Sequence, residues 1–193
     1  MTSTYSAISH TAAGIVFRTV QNTFAVLLAS AALISPFSYG QGSDSFPPVT
    51  DAMLQDPAPG DWLMWRRTLD SWGYSPLAEV NRDNVDQLRM VWAHGLGTGT
   101  GEITPLAYDG VLYVPQHNDV IEAIDARTGD QIWEYGRDHP EGLYDYVGVN
   151  ARNNRNLAIF GNLIINTSDD GFVFALDAQT GETVWETQVF DYK

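Results

Sequence analysis

From Ile103 onward the chain is written in short apolar runs that alternate with polar residues and break at Gly, Asn or Asp. Gln131, Ile132, Trp133, Glu134 and Tyr135 show the period-two alternation of a half-buried strand. The pattern predicts strands over Ile103–Tyr108, Val111–Pro115, Val120–Asp125 and Gln131–Tyr135. Asp109-Gly110 supplies a tight hairpin and His117–Asp119 a loop. A second set follows over Asn156–Phe160, Leu163–Asn166, Phe172–Asp177 and Thr183–Thr187, with turns at Gly161-Asn162 and Ala178–Gly181 and a loop at Thr167–Gly171. Ahead of both sets, Glu79–Leu88 reads as a short helix, with Asn81 or Asp83 as N-cap and Val85 and Leu88 three apart. Met90–His94 reads as a strand, and its Trp92 stands where the last strand of a preceding set would place one.

The two sets are copies. Ala123-Ile-Asp-Ala-Arg-Thr-Gly-Asp-Gln-Ile-Trp133 returns 52 residues later as Ala175-Leu-Asp-Ala-Gln-Thr-Gly-Glu-Thr-Val-Trp185. The Ala, Asp, Thr, Gly and Trp positions are identical, and the others keep their polar or apolar character. A period of about 40–50 residues, with four short strands and one Trp per unit, is the signature of a β-propeller blade. The fold class is therefore all-β, built from four-stranded antiparallel blades. In the Asp-Ala-x-Thr-Gly turn, Asp and Thr side chains cap turn amides and Gly takes a positive φ. Asp125, Thr128, Asp177 and Thr180 are thus assigned to holding turns, and each Trp to plugging the space between blades.

Residues 1–40 are of another kind. They contain Arg18 and no acid, and Phe24–Ile34 is an apolar run of eleven, too short to span a bilayer. Pro36 follows, then Ser38-Tyr39-Gly40 with small residues at the −3 and −1 positions of a cleavage site. The expectation is a signal peptide over 1–40, export to the periplasm, and no stable membrane insertion after cleavage. Residues 41–60 are rich in Gly, Ser, Pro and Asp and read as an extended surface lead-in. The 193 residues carry 10 basic and 24 acidic groups, a net charge of −14, which repels phosphate backbones and excludes nucleic acid as a partner. The absence of Cys excludes a disulfide, a thiolate metal site and a Cys nucleophile within the chain. Asp169-Asp170-Gly171 reads as a β-turn rather than a Ca²⁺ loop, and Gly95–Gly101 lacks the βαβ context and Lys of a phosphate loop. His94, His117 and His139 lack metal-ligand spacing.

The repeat Ala-x-Asp-Ala-x-Thr-Gly-x-x-x-Trp resembles the tryptophan docking motif of pyrroloquinoline quinone (PQQ) dependent dehydrogenases. Trp72-Gly-Tyr-Ser-Pro-Leu77, Val80–Leu88 with its Asn-x-x-Asn-Val-x-x-Leu, and Val91-Trp92 are similar to the opening of the methanol/ethanol dehydrogenase branch. Glu102–Tyr113 looks like that family's first blade, and Asn154-Arg-Asn-Leu-Ala-Ile-Phe-Gly161 is similar to its Asn-Arg-Gly-x-Ala-x-Tyr-Gly segment. The resemblance covers about Asp61 to Lys193, read as the first blades of a propeller that has eight in the family. It implies PQQ and a Ca²⁺ or lanthanide ion in a central funnel, oxidation of an alcohol by hydride transfer to the quinone, and electrons passed to a cytochrome c or a fused haem domain. It assigns cofactor binding to two residues, Glu102 at the quinone's periphery and Arg155 near its ortho-quinone oxygens. No residue is assigned as a metal ligand or catalytic base, because the family's are expected beyond Lys193, in a longer enzyme of which this is an N-terminal fragment inactive alone.

Two departures from the family's pattern stand out. Where many relatives place adjacent cysteines, this chain has Val149 and Asn150, and the Gly after the Arg is Asn156. The alternative is a cofactor-free propeller acting as a scaffold, like the outer-membrane assembly lipoprotein that shares the repeat. That reading predicts a lipobox Cys, which the chain lacks, and gives no reason for the Trp72–Leu88 or Arg155 segments.

Overall fold

The computed structural model describes residues 46–99, 101–148, 153, 155 and 157–193. The predicted signal peptide lies outside them, as do Val149 and Asn150. The described residues belong to one unit, Gly42–Lys193.

Each predicted set of strands forms its own antiparallel meander. The first sheet runs β1 (Leu106–Tyr108), β2 (Val111–Pro115), β3 (Ile121–Asp125) and β4 (Gln131–Tyr135). The second runs β5 (Ala158–Phe160), β6 (Leu163–Thr167), β7 (Phe172–Asp177) and β8 (Thr183–Gln188). The copies match in detail. In both, the register slips at one point between the third and fourth strands, at Ala123/Ile124 and at Ala175/Leu176. These are two propeller blades, each closed by the turn the sequence repeats.

The turns are built as their side chains require. Asp125 Oδ1 accepts from the amides of Arg127 (2.7 Å) and Thr128 (3.2 Å). Asp177 Oδ1 accepts from those of Gln179 (2.9 Å) and Thr180 (3.0 Å). Thr128 and Thr180 hydroxyls then accept from the amides of Asp130 and Glu182. Gly129 and Gly181 sit at φ 78° and 73°, a conformation that is strained for any residue with a Cβ.

That missing Cβ also makes room for a neighbour. The Trp133 indole of the first blade lies on Gly181 of the second, so closely that a Cβ there would come within 2.6 Å of the ring. Its Nε1–H donates to the Ala178 carbonyl at 3.0 Å, which also accepts from the Tyr113 hydroxyl at 3.2 Å. Trp92 treats the first blade's turn the same way, donating to Ala126 O at 3.1 Å and covering Gly129. Trp92 and Trp133 thus each dock on the turn of the unit that follows. Around Trp133 the first blade's Leu106, Tyr108, Tyr113, Ile121 and Ala123 and the second blade's Ile159, Ile164, Phe174 and Leu176 form one buried core.

Three expectations are corrected. The helix over Glu79–Leu88 is a single 3₁₀ turn at Val85–Gln87. Asn84 Oδ1 accepts from the Asn81 amide and Asn81 Oδ1 from the Asp83 amide, a local bonding that competes with a helix, while Val85 and Leu88 stay exposed. Met90–His94 pairs with no strand among the described residues and is held by its side chains instead. The lead-in is not wholly extended surface. It holds a one-turn helix α1 (Asp51–Gln55) after Thr50, and Val49 is fully buried and bridged to Gly161. Strand edges also move: β1 begins at Leu106, β6 reaches Thr167 and β8 reaches Gln188. A second short helix, α2 (Leu143–Val147), lies in the crossover between the blades, where no element was expected.

The meander gives each blade two ends. The β1–β2, β3–β4, β5–β6 and β7–β8 turns, with all the Trp docking, lie at one end. The β2–β3 and β6–β7 loops, the 136–157 crossover and the segments entering β1 and β5 lie at the other. Glu102 and Arg155 precede β1 and β5, so both fall at the second end.

Candidate functional site

Glu102 and Arg155 are 53 residues apart and meet because each enters the first strand of its own blade. The Thr104 amide donates to the Arg155 carbonyl at 2.9 Å, tying the two entry segments. Beside that bond Arg155 Nε donates to Glu102 Oε2 at 2.7 Å. Both side chains are open, at 59 % and 60 % exposure. An ion pair this exposed is worth only about 0–1 kcal/mol, so a ligand can displace it at little cost. Glu102 engages only Nε, and among the described residues Arg155 Nη1 and Nη2 make no hydrogen bond. The arrangement offers a planar, permanently charged two-donor fork to an oxygen-rich partner.

At the β2–β3 loop lies a cavity of about 250 Å³ lined by Gly97, Thr98, Gln116, His117, Asn118 and Glu122. Gln116 is buried; its Oε1 accepts from the Gly97 amide at 2.6 Å and its Nε2 has no partner. His94 spans the first blade, one ring nitrogen against Gly129 O and the other 3.0 Å from buried Glu122. Asp169-Asp170-Gly171 is the turn expected, closed by the Gly171 amide on Ser168 O at 3.1 Å. Among the described residues no three or more His, Asp or Glu side chains gather in a way that could hold a metal ion. The residues present therefore fit the oxygens of an anionic or quinone ligand at Arg155.

Sequence reasoning missed the residues that join the blades at this end. Asp119, Arg137, His139 and Asp170 are all buried or nearly so and all paired. No local motif announces them, since the pairs are 20 and 33 residues apart.

The fold and this end of it define a class: a propeller whose blades are joined by Trp-on-Gly docking, with an Arg–Glu pair where two first strands begin. Residues 62–187 match the family described as PQQ, Glucose/ethanol/alcohol dehydrogenase, beta-propeller domain. The chain belongs to this family of PQQ-dependent dehydrogenases. It is 35 % identical over 171 residues to the dehydrogenase subunit of the quinone alcohol dehydrogenase of Gluconacetobacter polyoxogenes, covering 87 % of this chain and 23 % of that protein. It is 38 % identical over 117 residues to the 1-butanol dehydrogenase (cytochrome c) of Thauera butanivorans, covering 58 % and 16 %. The quinohemoprotein alcohol dehydrogenase ADHIIG of Pseudomonas putida HK5 superposes with a TM-score of 0.67 at 32 % identity, over 76 % of this chain and 22 % of its own. A europium-containing methanol dehydrogenase gives 0.64 at 29 %, over 72 % and 25 %. The chain spans about a sixth to a quarter of the length of these relatives.

Proposed function

We propose that this chain forms part of a PQQ-dependent alcohol dehydrogenase acting in the periplasm, and that Glu102 and Arg155 are its contribution to the quinone site. The observation that carries the reading is the Arg155–Glu102 pair at the strand-entry end of a blade pair of the quinoprotein family. PQQ, when bound, supplies the two-electron acceptor chemistry, and the protein supplies orientation and electrostatics. Arg155 presents Nη1 and Nη2 to ligand oxygens and stabilises negative charge on them. Glu102 holds Nε and so fixes the plane of that fork; its second oxygen remains able to accept from a protonated ligand group. The Thr104–Arg155 backbone bond keeps both entry segments in register while the side chains exchange partners. The alcohol substrate, a cytochrome as electron acceptor and a Ca²⁺ or lanthanide ion belong to the same proposal. The relatives' printed activities support them: quinone-linked and cytochrome c-linked alcohol oxidation, and a europium-containing methanol dehydrogenase.

The test is equilibrium binding of PQQ to the native protein freed of cofactor, followed by the quinone absorbance. Removing one charge-assisted donor costs about 1.5–3 kcal/mol, so Arg155→Ala is expected to weaken binding by about 10- to 100-fold. Glu102→Gln is expected to weaken it less. Unchanged affinity in Arg155→Ala overturns the assignment.

A further inference from the structure

The two blades are joined twice. At the turn end the joint is apolar, Trp133 on Gly181. At the strand-entry end it is ionic and buried, and three segments meet there: the β2–β3 loop, the crossover and the β6–β7 loop.

Arg137 leaves β4 and clamps the second blade. Its Nε lies 2.9 and 3.1 Å from the two oxygens of Asp170, its Nη2 2.9 Å from Asp170 Oδ2, and its Nη1 2.8 Å from Glu186 Oε2. The guanidinium also lies over the Phe172 ring, 4.6 Å from its centroid. Ser168 Oγ donates to Asp170. Burial works against the charge on Arg137, but the bonds to Asp170 and Glu186 outweigh it and hold its pKa above the ordinary value. Burial would likewise raise the Asp170 carboxyl; Arg137 and Ser168 overcome that and hold it below the usual range. In this half of the joint neither Arg137 nor Asp170 titrates near neutrality.

The other half does. His139 Nε2 lies 2.9 Å from Asp119 Oδ2, an oxygen that also accepts from the Asp169 amide at 3.1 Å. His139 Nδ1 lies 3.2 Å from the Tyr144 hydroxyl, which can donate onward to Asn118 Oδ1 at 3.4 Å. Both ring nitrogens thus face an oxygen, and the doubly protonated ring satisfies both as a donor. Asn118 and Asp119 are held in left-handed conformations, φ 61° and 56°, by a loop these bonds fasten. The Asp119 hydrogen bond raises the His139 pKa more than burial lowers it. Asp169 is the counterpart. Its Oδ2 is buried and makes no hydrogen bond among the described residues. Burial first, then the nearby Asp119 charge, push its carboxyl up to about 6, against the opposing effects of the His139 charge and a hydrogen bond from Tyr144.

We propose that Asp119, His139, Tyr144 and Asp169 form a proton-operated clasp between the blades, closed when His139 carries a proton and Asp169 is neutral, and loosened when both give up their protons. Losing both protons removes the positive charge beside Asp119 and adds a negative one, while Asp170 and Glu186 stay engaged by Arg137. The signs agree. A His raised in the folded state stabilises below its ordinary value and loses that contribution as pH rises through the raised one. An acid raised in the folded state also favours the fold at low pH and loses that contribution as pH rises to about 6. The clasp is closed in mild acid and loosens as pH rises, first as Asp169 gives up its proton at about 6 and then as His139 does so above its ordinary value. This inference stands independently of any cofactor.

The experiment is site-resolved hydrogen exchange on this chain, corrected for the intrinsic rate, between pH 5.5 and pH 8. The Asp169 amide, which donates to Asp119, reports the clasp; the Gly129 and Gly181 amides, which donate to Asp125 and Asp177 carbonyls, are controls. Protection of the Asp169 amide is expected to fall about tenfold across that range while the controls stay level. Asp169→Asn keeps the shape without the charge and should retain more protection at pH 8, and Asp169→Asn with His139→Gln should remove the dependence. Level protection in the wild type, or an unchanged slope in the double variant, overturns the proposal. If the variants do not fold, the His139 ring signals decide it in the wild type. A titration midpoint above about 6.5 is expected, and one at or below it overturns the clasp.

Discussion

Gly181→Ala is the substitution that isolates the docking joint, provided it is compared with Gly161→Ala. Both glycines lie in turns of the second blade at positive φ, 73° and 60°. A Cβ at Gly161 would meet nothing within 4 Å, whereas one at Gly181 would lie 2.6 and 2.7 Å from Trp133 ring carbons. Gly161→Ala therefore carries only the backbone cost of Ala in the left-handed region, about 1 kcal/mol. Gly181→Ala carries that cost and must also displace an indole that is 8 % exposed, an overpacking worth about 1–3 kcal/mol more. Urea unfolding of the two variants, followed by circular dichroism, reads the difference. With a slope of about 2 kcal/mol/M, Gly181→Ala should unfold at a midpoint about 0.5–1.5 M below Gly161→Ala. Its tryptophan emission should also shift to the red, as Trp133 is lifted off the turn. Equal midpoints for the two variants would refute the claim that Trp133 docking on Gly181 holds the blades together.

Other outcomes follow from the same geometry. Trp133→Ala should cost about 3–5 kcal/mol, whereas Trp185→Ala, at a position 40 % exposed in this chain, should cost under about 1 kcal/mol by the same unfolding assay. Arg137→Leu should cost about 3 kcal/mol, because it leaves buried Asp170 without its cation, and Asp170→Asn in the same chain should restore part of the loss. Hydrogen bonds from the Arg127 amide above all hold the Asp125 carboxyl below the ordinary value, so its contribution is present above about pH 4 and lost as the carboxyl protonates in more acid solution. Asp125→Asn should flatten that acid limb of the stability profile; an unaltered limb would remove Asp125 from the account.

What was legible in the sequence was what is local. The Asp-Ala-x-Thr-Gly turn folds from contacts two or three residues apart, so Asp125 and Asp177 cap the same amides the pattern assigns to them. The strands between turns are legible as short runs bounded by turn residues, but their burial does not follow the alternation: β3 is buried at four successive positions and β8 is exposed throughout. Glu79–Leu88 failed because an apolar spacing of three predicts a helix only where a surface receives it. Here Val85 and Leu88 meet solvent, and the Asn81 and Asn84 side chains take the backbone instead. Met90–His94 failed for a related reason: Trp92 docks as expected, but among the described residues no strand lies beside it to pair. The meeting of Glu102 with Arg155 required both blades to be built first, and only the family resemblance singled out those residues. The clasp was invisible because Asp119, His139 and Asp169 come from three segments and each looks like an ordinary loop residue.

The central claim is that Arg155, at the strand-entry end of these blades, serves a quinone site. The most direct measurement is dye-linked alcohol oxidation by the native protein supplied with PQQ and Ca²⁺, comparing wild type with Arg155→Ala. Loss of one donor that stabilises developing negative charge should lower kcat/KM by about 10²–10³. Gly161→Ala, far from that end, should leave it unchanged. Alcohol oxidation at the wild-type rate in Arg155→Ala would contradict the account.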